Sequence, residues 1–125
     1  FNLDGLVDLV VVSRRASAQV WRNVTPDAGN WIAVQLHQQA SNENGIGAKL
    51  EVKVGEAVTT REVNVGGGHV SGQLGFWHFG LGAAAEAQVR VTWPDGTVGG
   101  WQALGSGQFF TLDKDTGPST WTPAR

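Results

Sequence analysis

The sequence contains no cysteine, no methionine and no tyrosine. Disulfide bonds, thiolate metal sites and thiol catalysis are therefore excluded. Charged residues make up 16% of the 125 positions, against a usual share of about 25%. The formal net charge is −2 and no basic patch is available to neutralise phosphates, so a nucleic-acid partner is not expected. No apolar run approaches the roughly 20 residues that span a bilayer.

Glycine and aromatic residues are abundant instead. The chain contains 18 glycines, six tryptophans and five phenylalanines, and so much glycine disfavours helices. About nine short segments with alternating or β-branched residues follow one another, separated by turn residues. Alternation is clearest in residues 31–38 and 49–54, and Pro94-Asp95-Gly96 predicts a tight turn. This pattern predicts an all-β chain, an antiparallel β-sandwich with an N-terminal hairpin.

The first residues match a calcium-binding loop that lacks its first position. Asn2, Asp4, Gly5 and Asp8 follow the spacing D-x-[DN]-x-D-G-x-x-D. Calcium takes about six to eight oxygen ligands, and alternate acidic residues on a tight loop supply them. The missing position would precede Phe1, so we expect the chain to be a fragment of a longer protein.

No catalytic constellation is assigned from the sequence. The three histidines do not have the spacing of a zinc motif. Ser106 lies between two glycines but lacks the strand-to-helix context of a nucleophile elbow. Paired carboxylates for glycoside cleavage stay open, because their separation in space decides that question.

The six tryptophans have two possible interpretations. They are large core residues, or they form a surface that stacks on sugar rings. Trp93 shares a strand face with Val89 and Val91, which predicts a core position. Trp101 and Trp121 are the better candidates for an exposed binding surface.

Two glycine-rich segments, residues 41–47 and 66–82, are expected to meet in space. Three polar side chains would then hydrogen-bond across the junction, and three aromatic rings would anchor it. The polar residues are Asn42, Asn44 and His78, and the aromatic residues are Phe76, Trp77 and Phe79.

Several motifs occur in one order along the chain. They include NLDGLVDLVVV, GNWIAVQL, SNENGIGAKLEVKVG and VRVTWPDGTV. In this order they resemble the ASPIC/UnbV domain, preceded by the truncated end of an FG-GAP (VCBS-type) propeller repeat. The resemblance covers Leu3 to Leu104 and divides the chain into three parts. Residues 1–25 resemble the repeat, residues 26–112 the β-sandwich, and residues 113–125 are expected to be a polar tail.

The resemblance implies a non-catalytic module outside the cytoplasm, periplasmic or secreted, that serves adhesion or assembly with a propeller or a larger complex. Calcium would be the cofactor, with Asn2, Asp4 and Asp8 as ligands and the Leu6 carbonyl contributing. A protein partner is expected, and no membrane span. The alternative is a carbohydrate-binding module or a domain of a secreted hydrolase. The binding candidates are Asn42, Asn44, Trp77, His78 and Trp101.

Overall fold

The computed structural model describes residues 1–123, which form ten strands. The strands are β1 (Leu9–Val11), β2 (Gln19–Trp21), β3 (Asn30–His37), β4 (Lys49–Val54), β5 (Ala57–Glu62), β6 (Trp77–Gly82), β7 (Glu86–Thr92), β8 (Gln102–Gly105), β9 (Gln108–Asp113) and β10 (Gly117–Trp121). Within residues 1–123 there is no helix with the length and hydropathy to cross a membrane.

Eight of these strands form a sandwich, and the other two form a separate hairpin. One sheet has the order β10-β9-β3-β6 and the other has the order β5-β4-β7-β8, while β1 has β2 as its only partner within residues 1–123. The predicted all-β sandwich is confirmed. The first sheet is mixed rather than antiparallel throughout, because β3 and β9 run parallel. Their paired residues are 76 positions apart, so no hairpin turn forces them to run antiparallel.

The core lies between the two sheets and follows the predicted alternation. In β3, Ile32, Val34 and Leu36 point inward, and in β4 Leu50 and Val52 do the same. Further buried side chains from the strands and the adjoining loops complete one cluster: Ala48, Val63, Phe79, Leu81, Ala87, Val89, Val91, Trp93, Leu104, Phe110 and Leu112. Trp93 is buried as predicted.

The expected polar tail from residue 113 onwards differs in the structure. Gly117–Trp121 forms β10, which pairs with β9 from Gly117↔Asp113 to Trp121↔Phe109. This strand is at the edge of its sheet and is largely exposed, so its sequence carries no apolar alternation. Pro118 suits an edge strand because no neighbour needs its missing N–H. The last two residues of the expected tail, 124 and 125, lie outside the described residues.

Candidate functional site

The hairpin β1–β2 lies outside the sandwich and is apolar on both faces. Leu9 pairs with Trp21, and Val10 pairs with Val20, so the two pairs point to opposite sides of the ribbon. All four side chains are exposed, Leu9 by 57% and Val20 by 64%. Strands that are apolar on both faces are typical of sheets covered on both sides, and a two-stranded hairpin alone is at most marginally stable.

The N-terminal segment, residues 1–8, connects this hairpin to the sandwich. Gly5 lies directly on the indole of Trp31, and a Cβ atom at Gly5 would collide with that ring. The Gly5 carbonyl oxygen lies 2.7 Å from Nε2 of His78, which donates a hydrogen bond to it. Gly5 has a φ of +86°, a conformation that side-chain-bearing residues rarely adopt. The absence of a side chain therefore permits this contact.

An aromatic layer on the outer face of β10-β9-β3-β6 supports the segment. We use this name for Trp31, Phe76, His78, Phe109 and Trp121. The Phe109 ring centroid lies 5.0 Å from both Trp31 and Phe76 and 5.6 Å from Trp121, and the rings cross at 62° to 75°. Edge-to-face rings pack well with one another, but they do not form one flat surface for a sugar ring.

The outward-facing Ala33 shows that this layer is covered. Its side chain is 2% exposed, although it does not point into the core. Leu6, Phe76 and His78 line the space next to it. The sandwich therefore has a second, smaller apolar layer beneath the N-terminal segment.

Asp8 fixes the base of the hairpin. Its Oδ1 accepts a hydrogen bond of 2.7 Å from the Asn23 backbone N–H. Its Oδ2 lies 2.6 Å from the Phe1 ammonium group. The Phe1 ammonium group and then the Asn23 N–H hold the pKa of Asp8 below its ordinary value. The bond between Asp8 and Asn23 thereby ties the two ends of the hairpin to each other.

The expected calcium ligands are engaged with one another and with the backbone. The Asn2 side chain donates to Asp4 Oδ2 at 2.5 Å, and the Leu6 N–H donates to Asp4 Oδ1 at 2.9 Å. The Leu6 N–H and then Asn2 lower the pKa of Asp4. Across residues 1–123, no three histidine, aspartate or glutamate side chains are grouped to hold a metal ion. The residues fit a calcium site only in part, since calcium takes about six to eight oxygens, so this ligand set stays a prediction.

Residues 41–47 and 66–82 approach each other at one crevice, but the two polar side chains expected to join them bond elsewhere. Asn42 hydrogen-bonds the backbone of Ile46 within its own loop, at 2.8 and 2.9 Å. His78 bonds Gly5 instead. The hydrogen bonds predicted for Asn42 and His78 across the junction are therefore wrong. Asn44 does meet the second segment, because it lines a narrow crevice together with Gly75 and Trp77.

The five binding candidates do not form a single site. Trp77 packs against the core, and Trp101 stacks on the Arg90 guanidinium group, 4.5 Å from the ring centroid. Arg90 in turn makes two hydrogen bonds to Glu51, of 2.8 and 3.0 Å. Trp101 is 39% exposed and lies beside β7, whereas His78 lies on the other sheet. Trp121, also expected to be exposed, belongs to the aromatic layer.

Comparison with known proteins identifies the sandwich. The family described as ASPIC and UnbV matches residues 38–119. The chain belongs to this family. The match runs from the residue after β3 into β10, while the hairpin lies outside it.

One curated relative is cartilage acidic protein 1 of Mus musculus, which is 30% identical over 102 residues. The aligned region covers 78% of this chain and 16% of that protein. The chain thus spans only a small part of the length of the relative it matches. No solved structure matches the chain.

Sequence reasoning missed the residues that hold the N-terminal segment. Trp31 and Phe109 occupy outward positions on β3 and β9, where a sandwich normally carries polar side chains. These two large rings at outward positions could have indicated from the sequence that another segment covers this face. Their contact with Gly5 depends on how the chain folds back, which no local pattern contains.

Proposed function

We propose that this chain is a non-catalytic assembly module that acts outside the cytoplasm, and that its N-terminal hairpin packs into a neighbouring β-structured domain. The observation that carries the proposal is the hairpin, which exposes apolar side chains on both faces. Burial of one Val or Leu side chain contributes roughly 1.5–3 kcal/mol. A contact that buried Leu9, Val10, Val11 and Val20 against a neighbouring domain would therefore be stabilised by several kcal/mol.

The shape of the hairpin indicates what kind of neighbour it needs. A single sheet or groove would cover one face and leave the other in water. A stack of sheets covers both faces. Among the described residues no further strand lies at the outer edges of β1 and β2, so these edges can pair with strands of a neighbour. Packed blades of a propeller have this arrangement. We therefore assign residues 1–25 to the last repeat of an FG-GAP-type propeller in the same polypeptide.

In this proposal the N-terminal segment orients the two bodies. The contact of Gly5 with Trp31 and its hydrogen bond with His78 hold the segment on the sandwich. Asp8 and Asn23 hold it to the hairpin. The propeller and the sandwich would then have a fixed relative orientation, as an assembly module requires.

The proposed location and lack of catalysis have separate support. Membership of the ASPIC and UnbV family and the relative named for cartilage support a role outside the cytoplasm. We assign no catalytic residue. His37 and Asp113, a pair of the kind used in acid–base chemistry, lie 2.6 Å apart at the ends of β3 and β9, where they join the two parallel strands.

The test replaces the two exposed valines on one face of the hairpin by charged residues. In the complete gene product, Val10→Glu with Val20→Glu should lower the unfolding temperature and make residues 9–21 sensitive to protease, because two carboxylates would enter an apolar interface. In the 125-residue chain the same pair should leave the unfolding of the sandwich unchanged. Val98→Glu is the matched control, an equally exposed valine in a sandwich loop. A complete product that tolerates the hairpin pair as well as the control would contradict the proposal.

A further inference from the structure

The loop between β1 and β2 carries two adjacent arginines, Arg14 and Arg15, at its turn. Residues 12–18 are all exposed and belong to neither strand. Within residues 1–123, no backbone hydrogen bond outside the strands involves this loop, and neither arginine takes part in an ion pair. Exposed loop tips of this kind are preferred sites of proteolysis.

The two arginines also select the class of protease that would cut here. Trypsin-like proteases carry an aspartate at the bottom of the specificity pocket, where it pairs with the charged side chain before the scissile bond. Hydrolysis adds one water molecule across the Arg15–Ala16 peptide bond, which leaves a carboxylate on Arg15 and an amino group on Ala16. Cleavage after Arg14 is the equivalent reaction one residue earlier.

The other basic residues of the described chain are less accessible to such an enzyme. Four of them lie within strands of one sheet: Lys49, Lys53, Arg61 and Arg90. Lys114 Nζ lies 2.5 Å from Asp95 Oδ2, and Arg22, which directly follows β2, lies 3.9 Å from Asp4. A strand must open locally before a protease can bind it, whereas the β1–β2 loop needs no such opening.

Residues 1–15 make few contacts with the rest of the chain. Gly5, Leu6 and Asp8 are half-buried, and the other residues of this stretch are exposed. The pairing of β1 with β2 spans only three residue pairs, and such a hairpin is marginally stable by itself. In the intact chain the loop holds both sides together at an effective concentration on the order of millimolar. A cut in the loop removes this advantage, so the N-terminal peptide can dissociate.

From these observations we propose that the β1–β2 loop is a processing site for a protease of trypsin-like specificity. Cleavage after Arg14 or Arg15 disconnects the N-terminal segment from the sandwich and uncovers the aromatic layer. Ala33, which Leu6 helps to cover, then becomes exposed together with Trp31. The proposal depends only on contacts within the 125-residue chain and is independent of the neighbour that the hairpin meets.

The experiment treats the folded 125-residue chain with a small amount of trypsin and identifies the products by mass spectrometry. The first cut should give residues 15–125 or 16–125 as the large product. Size-exclusion chromatography at about 1 μM, far below the effective concentration in the intact chain, should separate this product from the N-terminal peptide. The fluorescence of the large product should shift to longer wavelength, because Trp31 is no longer covered.

Substitutions then locate the cut. Arg14→Gln together with Arg15→Gln should slow the first cleavage at least about tenfold, because most remaining sites must first open. Arg22→Gln, at an exposed arginine next to the same hairpin, is the matched control and should leave the rate unchanged. The proposal would be overturned by a first cut at Arg22 or within the sandwich, or by a double variant that is cleaved as fast as the parent. An N-terminal peptide that co-elutes with the large product would also overturn it.

Discussion

Gly5 is the residue at which conformation and contact depend most on the absence of a side chain. Gly5→Ala adds a Cβ atom that collides with Trp31 and strains a positive φ, which alone costs about 1–2 kcal/mol. We expect the N-terminal segment to leave the aromatic layer. Ala33 should then lose its cover, and the Trp fluorescence should shift to longer wavelength, while the sandwich stays folded.

Gly80→Ala is the control for this prediction. Gly80 is on the same outer face, and a Cβ atom there meets nothing within 4 Å. Identical fluorescence and identical hydrogen exchange of residues 1–8 in the two variants would show that the segment is not held by the Gly5 contact.

Two aspartates make the free energy of unfolding depend on pH in the acid range. Lys114, and then the Thr97 N–H, lower the pKa of Asp95 to about 2, and His37, followed by two backbone N–H groups, lowers that of Asp113. An unfolded aspartate titrates near 3.9, so the stabilisation from Asp95 is complete above about pH 4 and is lost as the pH falls from about 4 towards 2.

Urea unfolding between pH 6 and pH 2 measures this loss. Asp95→Asn and Asp113→Asn should each flatten the acid side of the stability curve, whereas Glu86→Gln serves as the control. The assignment would be contradicted if the free energy of unfolding fell as steeply between pH 6 and pH 2 in both aspartate variants as in the parent chain.

The calcium prediction also depends on the oxygen ligands that a few single residues supply. Asn2, Asp4, Asp8 and the Leu6 carbonyl provide too few oxygens, and the Phe1 ammonium group is paired with Asp8. We expect calorimetry to find no calcium binding tighter than about 1 mM in this chain, which is the weak end for extracellular sites. A chain with an aspartate placed before Phe1 should bind more tightly. Equal micromolar affinity in both would show that an aspartate before Phe1 does not contribute to calcium binding.

At the scale of elements, the turn after β7 is the clearest case in which sequence determines geometry. Gly96 has a φ of +86°. Its N–H bonds the Trp93 carbonyl at 2.9 Å, and the Thr97 N–H bonds Asp95 Oδ1 at 3.0 Å. The predicted tight turn at Pro94-Asp95-Gly96 is confirmed, because these residue types favour this backbone conformation locally.

Gly96→Val should destabilise the chain by about 1 kcal/mol or more, since a β-branched residue is strained at positive φ. This corresponds to a fall of about 3–6 °C in Tm. Gly100→Val, at a glycine with open space and no positive φ, is the control. Equal melting temperatures for the two variants would refute the turn geometry.

A strand with one buried face is the easiest to predict from sequence. Lys49–Val54 was predicted with correct bounds because Leu50, Val52 and Val54 alternate with charged residues. β10 escaped prediction since an exposed edge strand needs no alternation. The aromatic layer escaped because its partner is the N-terminal segment, which is distant in sequence. Local patterns record which face is buried, and they do not record what covers an outward face.

At the scale of the whole molecule, the architecture depends on pairings that are far apart in sequence. The class of sandwich could be predicted from the number of short strands, but the parallel pairing of β3 and β9 could not. Residues 32–37 align with residues 108–113, and intervening strands belong to both sheets. The candidate site shares this property, because Gly5 and His78 are 73 positions apart.

The central claim is that the hairpin is one part of a larger β-structured domain in the same polypeptide. Hydrogen exchange of the amides in Leu9–Val11 and Gln19–Trp21, compared between the 125-residue chain and the complete gene product, tests it most directly. We predict rapid exchange in the chain and strong protection in the complete product, with β3, β4 and β9 equally protected in both. Equally rapid exchange of the hairpin in the two proteins would contradict the account.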